Sequence, residues 1–217
     1  MIKYRNIFFA FSLAIIIPGL VALSTWGLNL GIDFTGGTLW EIKFQKQLTS
    51  QEVQDFLQNH NIQLSSIAQT SPDTTLLRLK VTEEEKIAEI KTKLNEAFGQ
   101  TEDVRLETVG PVISKELTQK ALLATGIAIA AIVIYITWAF RKVPKPASAI
   151  SFGACTIIAL VHDVIVVVGS FAILGHFLHF EVDSLFITAL LTVLGFSVHD
   201  TIVVFDRIRE NLKKYSD

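Results

Sequence analysis

Four long apolar stretches dominate the sequence and restrict the folds that are open to it. They cover residues 7–28, 121–140, 147–177 and 184–205. About 20 such residues are enough to cross the hydrocarbon core of a bilayer as a helix. A helix also satisfies its own backbone hydrogen bonds, which lipid cannot do. The sequence therefore predicts an α-helical membrane protein with four transmembrane helices.

The composition agrees with a membrane protein. Hydrophobic residues make up 50% of the chain and charged residues 18%, whereas soluble domains carry about 25% charged residues. The mean hydropathy is +0.46. The single cysteine, Cys155, cannot form an intrachain disulfide, and we expect it to be a small buried hydrophobe. A net charge of -2 without a basic stripe argues against nucleic-acid binding.

Lysine and arginine in the short flanking segments predict the orientation, because cytoplasmic loops are enriched in these residues. The link between the third and fourth stretches, residues 175–183, has neither. We expect both termini to be cytoplasmic and residues 31–114 to be extracytoplasmic. The basic residues assigned to the cytoplasmic side are Lys3, Arg5, Arg141, Lys142, Lys145, Arg207, Arg209, Lys213 and Lys214.

Residues 31–114 have the pattern of a water-soluble domain. Strands are predicted at residues 38–44, 62–70, 75–81 and 104–109. The capping-box pattern Thr49-Ser-Gln-Glu52 predicts a helix through about Asn59. Thr82-Glu-Glu-Glu85 is predicted to open a second helix, which Gly99 ends. The order βαββαβ predicts an α+β ferredoxin-like sandwich. The predicted parts are thus a first helix in residues 1–30, this domain, and residues 115–217 with three helices and a cytoplasmic tail.

The glycine-rich segment at residues 31–38 lies between the first apolar stretch and the first predicted strand. A phosphate-binding loop is disfavoured because no Gly-Lys-Ser/Thr follows and we expect no helix to start here. A structural joint is favoured, with Gly31, Asp33, Gly36 and Gly37 as its residues.

A small group of ionisable residues lies near the link between the third and fourth stretches. Their types suit a metal, but strict ligand spacing is absent, so we expect no metal site and favour interfacial residues over a proton-entry role. They are His176, His179, Glu181 and Asp183.

Asp200 lies inside the fourth apolar stretch, next to His199. An acid there costs about 2.5–3.5 kcal/mol on insertion scales, and packing alone does not require it. Ser197 and Thr201 flank Asp200 on one side of a helix. This pattern favours ion or proton handling, while a permanently paired acid that locks helix packing is the alternative.

His162 and Asp163 interrupt the third stretch. Lipid offers them no partners, so they must face other helices or a wet cavity. Two roles remain open for the pair. The residues either hydrogen-bond neighbouring helices and hold the bundle together, or take a direct part in an ion path.

Four motifs resemble the SecF subunit of the bacterial SecD–SecF export complex, within the RND superfamily. They are residues 31–38, Val109-Gly-Pro-Val112, Ala159-Leu-Val-His-Asp-Val-Ile165 and residues 195–211. The resemblance covers essentially the whole chain. It implies that Asp200 is the family's membrane-embedded acid, and His199 departs from the asparagine often found there. The cytoplasmic continuation of this motif is Asp206, Arg207, Arg209, Glu210 and Asn211.

The resemblance also implies a function. It predicts a non-enzymatic subunit of the bacterial inner membrane, without cofactor, that couples a proton or sodium gradient to late-stage protein translocation. The implied partners are SecD, the SecY-SecE-SecG channel, YajC, translocating preproteins and the lipid bilayer. An RND-type small-molecule exporter and a structural scaffold subunit without an ion path are the alternatives.

The resemblance further sets an expectation about length. SecF subunits have six spans, and the fifth is expected to carry an arginine that works with the acid. Four spans would make this chain a fragment, an engineered truncation or one product of a split gene.

Overall fold

The computed structural model describes residues 4–144 and 147–214. Lys3 and Lys145, which were used to predict the orientation, lie outside these residues. The chain forms two compact units, one from residues 30–119 and the other from the remaining helical segments. The elements are α1 (Arg5–Thr25), α2 (Ile32–Thr35), β1 (Gly37–Phe44), α3 (Ser50–Asn59), β2 (Leu64–Ser71), β3 (Thr74–Leu79), α4 (Glu84–Phe98), β4 (Thr101–Val109), α5 (Pro111–Ala139), α6 (Ala149–Leu178) and α7 (Ser184–Lys214).

Among the described residues, four helices are long and apolar enough to cross a membrane, namely α1, α5, α6 and α7. The fold class predicted from the apolar stretches is therefore confirmed. Two of these helices extend beyond their apolar stretches. α5 begins at Pro111 and α7 continues to Lys214, because polar residues continue a helix where it leaves the apolar region, and proline is well accommodated in a first helical turn.

The sheet of residues 30–119 has four antiparallel strands in the order β2-β3-β1-β4. With the element order βαββαβ, this arrangement is compatible with the predicted ferredoxin-like sandwich. Helices α3 and α4 cover one face of the sheet and enclose a core around the fully buried Trp40. The indole N–H of Trp40 donates to Asp103 Oδ1 at 3.0 Å, so its polar edge is satisfied.

The capping box predicted at Thr49 is confirmed. At α3 the Thr49 hydroxyl accepts the backbone N–H of Glu52 at 3.3 Å, and the Glu52 carboxylate accepts the backbone N–H of Thr49 at 2.8 Å. The helix predicted to open within residues 82–85 is α4, whose N-cap residue is Glu83 and makes no capping hydrogen bond with its side chain. Gly99 ends α4 with φ 91°, as predicted.

The helical unit is organised around α6, which packs against both α1 and α7. α5 joins it through an aromatic cluster in which Phe140 stacks on Phe152 at 5.1 Å and Phe205 meets Phe152 edge-on at 4.5 Å. Offset-stacked and edge-to-face rings of this kind add about 0.5–1.5 kcal/mol per pair to their area burial. The cluster therefore fixes one end of α5, α6 and α7 together.

Candidate functional site

His162 and Asp163 lie at the centre of α6 and contact two different helices. Consecutive residues of an α-helix point about 100° apart, so the two side chains leave α6 in different directions. His162 Nε2 lies 2.7 Å from Ser12 Oγ on α1. The Asp163 carboxylate accepts a hydrogen bond from the Ser197 hydroxyl on α7.

The pair is also bonded to itself. His162 Nδ1 lies 2.9 Å from Asp163 Oδ1, while Ser197 takes Asp163 Oδ2. When Asp163 is ionised its carboxylate can only accept, so the donor in this contact is then the Nδ1–H of His162. In the neutral imidazole Nε2 is then the acceptor, and the Ser12 hydroxyl donates to it. A chain of hydrogen bonds thus connects Ser12 on α1 with the His162–Asp163 pair on α6 and with Ser197 on α7.

The α1 and α6 helices meet at three levels that are seven residues apart on both helices. Ser12 meets His162, and Gly19 meets Gly169. At the third level the indole of Trp26 stacks on the His176 ring, with centroids 4.0 Å apart and planes 4° apart. Because the residue numbers of the contacting pairs rise together along both helices, α1 and α6 run parallel to each other. A seven-residue interval is the repeat of a left-handed helix pair.

The contact between Gly19 and Gly169 explains how the short side chain of Ser12 can reach His162 on α6. A Cβ atom built on Gly169 would lie 2.7 Å from the Cα of Gly19, so the two backbones nearly touch. Small residues permit this approach between membrane helices. The glycine pair therefore sets the distance at which Ser12 and His162 can bond.

Asp200 borders a groove between α6 and α7 that also contains Asp163. The groove has a volume of about 700 Å³, and Ser197 lies in its wall between the two acids. Asp200 is exposed. Within residues 4–144 and 147–214 its side chain makes no hydrogen bond or ion pair. The full lining is Cys155, Ala159, Asp163, Thr192, Val193, Phe196, Ser197, Asp200, Thr201, Val204 and Phe205.

The remaining polar residues of α7 differ in their placement. The Thr201 hydroxyl lines the groove and donates to the carbonyl of Ser197 at 2.9 Å. His199 is exposed and does not line the groove. The prediction that Cys155 is buried is wrong: it is exposed on the groove wall, because its face of α6 is not covered by α7.

Ser12, His162 and Asp163 have the connectivity of a hydrolytic triad, but the surroundings do not suit acyl transfer. Ser12 lies inside the regular helix α1, where backbone N–H groups are engaged in the helix. An oxyanion therefore has no backbone donors beside the serine, and such donors are needed to stabilise a tetrahedral intermediate. The arrangement is suited to holding and moving a proton.

The polar end of α7 carries two ion pairs, each of which joins residues about one helical turn apart. Arg209 Nη2 lies 2.9 Å from Asp206 Oδ1, and Arg207 Nη1 lies 2.8 Å from Glu210 Oε2. Asn211 follows on the same helix. These contacts are exposed or half-exposed, so they add little to stability.

The glycine-rich segment contains one helical turn, α2, where the sequence predicted no helix. Gly36 and Gly37 have φ of 72° and 119°, and a Cβ on Gly37 would lie 2.5 Å from the carbonyl oxygen of Leu79. Both positions therefore require glycine. Gly31 is the N-cap residue of α2, and Asp33 lies in its first turn. These features support the proposed role as a structural joint.

The ionisable residues near the α6–α7 link do not converge. His176 stacks on Trp26, and Asp183 Oδ1 accepts the backbone N–H of Phe186 at 2.8 Å at the start of α7. His179 has the left-handed φ of 58° that ends α6. In the part of the chain that the structure describes, no three His, Cys, Asp or Glu side chains are grouped to hold a metal ion.

Sequence reasoning missed the contribution of α1 to the site. Ser12 is a polar residue in an otherwise apolar run from Ile7 to Pro18, and this was the available signal. The equal spacing of Ser12, Gly19 and Trp26 with His162, Gly169 and His176 was a second signal. This equal spacing can be recognised only once α1 and α6 are known to be neighbours.

The fold and the site define a polytopic membrane protein with ionisable groups between its helices. Two family profiles match the chain. "Protein export membrane protein SecD/SecF, C-terminal" covers residues 89–217, and "SecD/SecF GG Motif" covers residues 21–47.

Curated relatives match over nearly the whole chain. The protein translocase subunit SecF of Thermobaculum terrenum is 43% identical, over 100% of this chain and 72% of its own length. The SecF subunit of Anaerolinea thermophila is 44% identical, over 97% of this chain and 68% of its own length. The prediction of a non-enzymatic subunit agrees with these names.

Two solved structures also match. The crystal structure of SecDF, a translocon-associated membrane protein from Thermus thermophilus, has a TM-score of 0.78 at 30% identity. A SecDF structure described as a super-membrane-facing form has a TM-score of 0.57 at 28% identity. Each match covers 97% of this chain and 28% of the SecDF chain. The chain belongs to the SecD/SecF family of protein export membrane proteins.

Proposed function

We propose that this chain acts as a SecF-type subunit which, together with SecD, couples a proton or sodium gradient to late-stage protein translocation. The observation that carries the proposal is the groove that Asp163 and Asp200 share between α6 and α7. Ionisable residues inside membrane segments are costly and mark ion or proton paths. Asp200 is the acid open to the groove, and Asp163 is the acid held by neighbours.

Ser197 connects the two acids in this proposal. Its hydroxyl bonds Asp163, and it lies three residues before Asp200 on the same face of α7. A hydroxyl can both donate and accept a hydrogen bond. Ser197 can therefore switch its hydrogen bond from one carboxyl to the other as the protonation of the two acids changes. Thr201 and His162 complete the set of ion-path residues, and His199 joins it as a neighbour of Asp200.

The proposed setting is the bacterial cytoplasmic membrane, with both termini in the cytoplasm and residues 31–114 outside. The parallel arrangement of α1 and α6 requires both helices to enter from the same side, as this topology has them do. Arg141, Lys142 and the basic residues at the end of α7 agree with the same orientation. The SecY-SecE-SecG channel, YajC and translocating preproteins are the further proposed partners.

A second candidate is a scaffold subunit whose polar groups only specify packing. The bonds of His162 to Ser12 and of Asp163 to Ser197 favour it, because they join three helices. Asp200 separates the two candidates, since within the described residues it holds no helix in place.

The test is protein export in a strain that depends on the full-length protein. Asp200→Asn keeps the shape of the side chain and removes its charge, and we expect export to fall to the level of a strain without the protein. Glu96→Gln, an exposed change in α4, is the matched control and should export normally. Protein abundance and SecD association must be equal in all strains. Normal export with Asp200→Asn would reject gradient coupling and leave the scaffold.

A further inference from the structure

Resting on the proposed function, we infer that Ser12 is a positioning residue of the ion path, which holds His162 in the orientation that pairs it with Asp163. The inference begins from the Ser12 Oγ–His162 Nε2 distance of 2.7 Å. This contact joins α1 to a residue whose other nitrogen is 2.9 Å from Asp163 Oδ1. Both ring nitrogens of His162 are therefore occupied, and the ring has one orientation.

A serine at this place can serve both protonation states of His162. With a neutral ring, the Ser12 hydroxyl donates to Nε2. With a protonated ring, Nε2–H donates to the Ser12 oxygen while Nδ1–H still donates to Asp163. The ring can thus gain or lose a proton at Nε2 without turning. Alanine at this position provides neither partner, whereas threonine provides both.

Among the residues that the structure describes, Asp163 is the ionisable group bonded to His162. From α1, Ser12 faces it, and the helix has no ionisable side chain from Asn6 to Thr25. On α6 itself Asp163 is bonded to it, and Asp163 in turn shares a groove with Asp200 of α7. A change at position 12 therefore acts on a small, defined set of titrating groups.

The close approach of α1 and α6 keeps Ser12 in reach. Gly19 and Gly169 lie seven residues beyond the Ser12–His162 pair, and Trp26 and His176 lie seven beyond that. The hydroxyl is thus fixed by a repeated backbone contact as well as by its own bond. Ser24 provides a matched control on the same helix, because its hydroxyl donates to the carbonyl of Val21 within that helix, at 2.9 Å.

The experiment compares Ser12→Ala, Ser12→Thr and Ser24→Ala in the full-length protein, reconstituted with SecD in proteoliposomes. Proton flux is measured across pH, and the His162 ring is observed by ¹⁵N NMR with assignment by His162→Gln. We expect Ser12→Ala to change the Nε2 resonance and to shift the pH profile of flux. Ser12→Thr should restore both, and Ser24→Ala should change neither.

Two outcomes would overturn the inference while the proposed function stands. One is an unchanged His162 spectrum in Ser12→Ala. The other is a changed spectrum with an unaltered flux profile, in preparations where Asp200→Asn abolishes flux. Flux that survives Asp200→Asn would instead reject the proposed function, and the role of Ser12 in a path would fail with it.

Discussion

Ser197 donates its hydroxyl to Asp163 of the neighbouring helix, although Asp200 lies three residues further along its own helix. The Ser197 hydroxyl therefore bonds the same carboxylate, that of Asp163, which also contacts His162 Nδ1. Asp200 is left open to the groove. This asymmetry gives the two acids different environments within one site.

Removing this hydroxyl should loosen α6 from α7. Interhelical hydrogen bonds in membranes average about 0.6 kcal/mol and reach about 1.7 kcal/mol, so we expect Ser197→Ala to lower the unfolding free energy by that range. Ser197→Thr keeps the hydroxyl and should lose less. Unfolding in mixed micelles measures the difference. An equal loss in both variants would show that the hydrogen bond is not its source.

The contact between Gly19 and Gly169 should not tolerate a methyl group. A Cβ at Gly169 would lie 2.7 Å from the backbone of α1, so Gly169→Ala must push the helices apart. Gly126→Ala on α5 is the matched control, since its Cβ would meet nothing within 4 Å. We expect disulfide cross-linking between cysteines introduced at Ser12 and His162, with Cys155 replaced by serine, to fall sharply in Gly169→Ala only. Equal cross-linking in both would contradict the close approach.

The only cysteine of the chain should report water in the groove. Cys155 is exposed on the wall that includes Asp200, and thiol reagents need a hydrated, ionisable thiol. We expect a small water-soluble methanethiosulfonate to modify Cys155 in membranes, with Cys155→Ser as the blank. Labelling only after denaturation would mean that another segment covers this groove.

The capping box of α3 should make that helix sensitive to acid. Hydrogen bonds from the Thr49 backbone N–H and hydroxyl lower the pKa of Glu52 below its ordinary value of 4.5. The contribution is therefore present above pH 4.5 and is lost as the pH falls through the lowered pKa of the folded state. Hydrogen exchange of α3 should accelerate in this window.

Two variants check the origin of this sensitivity. Glu52→Gln should remove most of the pH dependence, and Thr49→Ala should destabilise α3 by about 0.5–2 kcal/mol. Gln51→Ala, at an exposed position of the same turn, is the control. An unaltered acid response in Glu52→Gln would assign it to other carboxylates.

The sequence was informative where the physics is local. Apolar length located α1, α5, α6 and α7, because a bilayer imposes a minimum span. Alternation and turn residues located the strands of residues 30–119, and the Thr49–Glu52 box was confirmed. The start of the second helix was also located, since Glu83 is the N-cap residue of α4.

The candidate site was only partly predictable. The cost of placing an acid in an apolar helix singled out Asp200 and Asp163. Helical spacing placed Ser197 and Thr201 on the same side of the helix as Asp200. That Ser197 bonds Asp163, and that Ser12 completes the chain of hydrogen bonds, depends on which helices are neighbours. Ser12 and His162 are 150 residues apart in the chain, and no local pattern contains that information.

The consecutive placement of His162 and Asp163 has a mechanical consequence. One residue bonds α1 and the next bonds α7, so α6 is held at two points of its circumference. A turn of α6 about its own axis strains both bonds together, whichever way it turns. The angular position of α6 is therefore restrained from two sides at one level, and breaking either bond would leave the restraint on one side only.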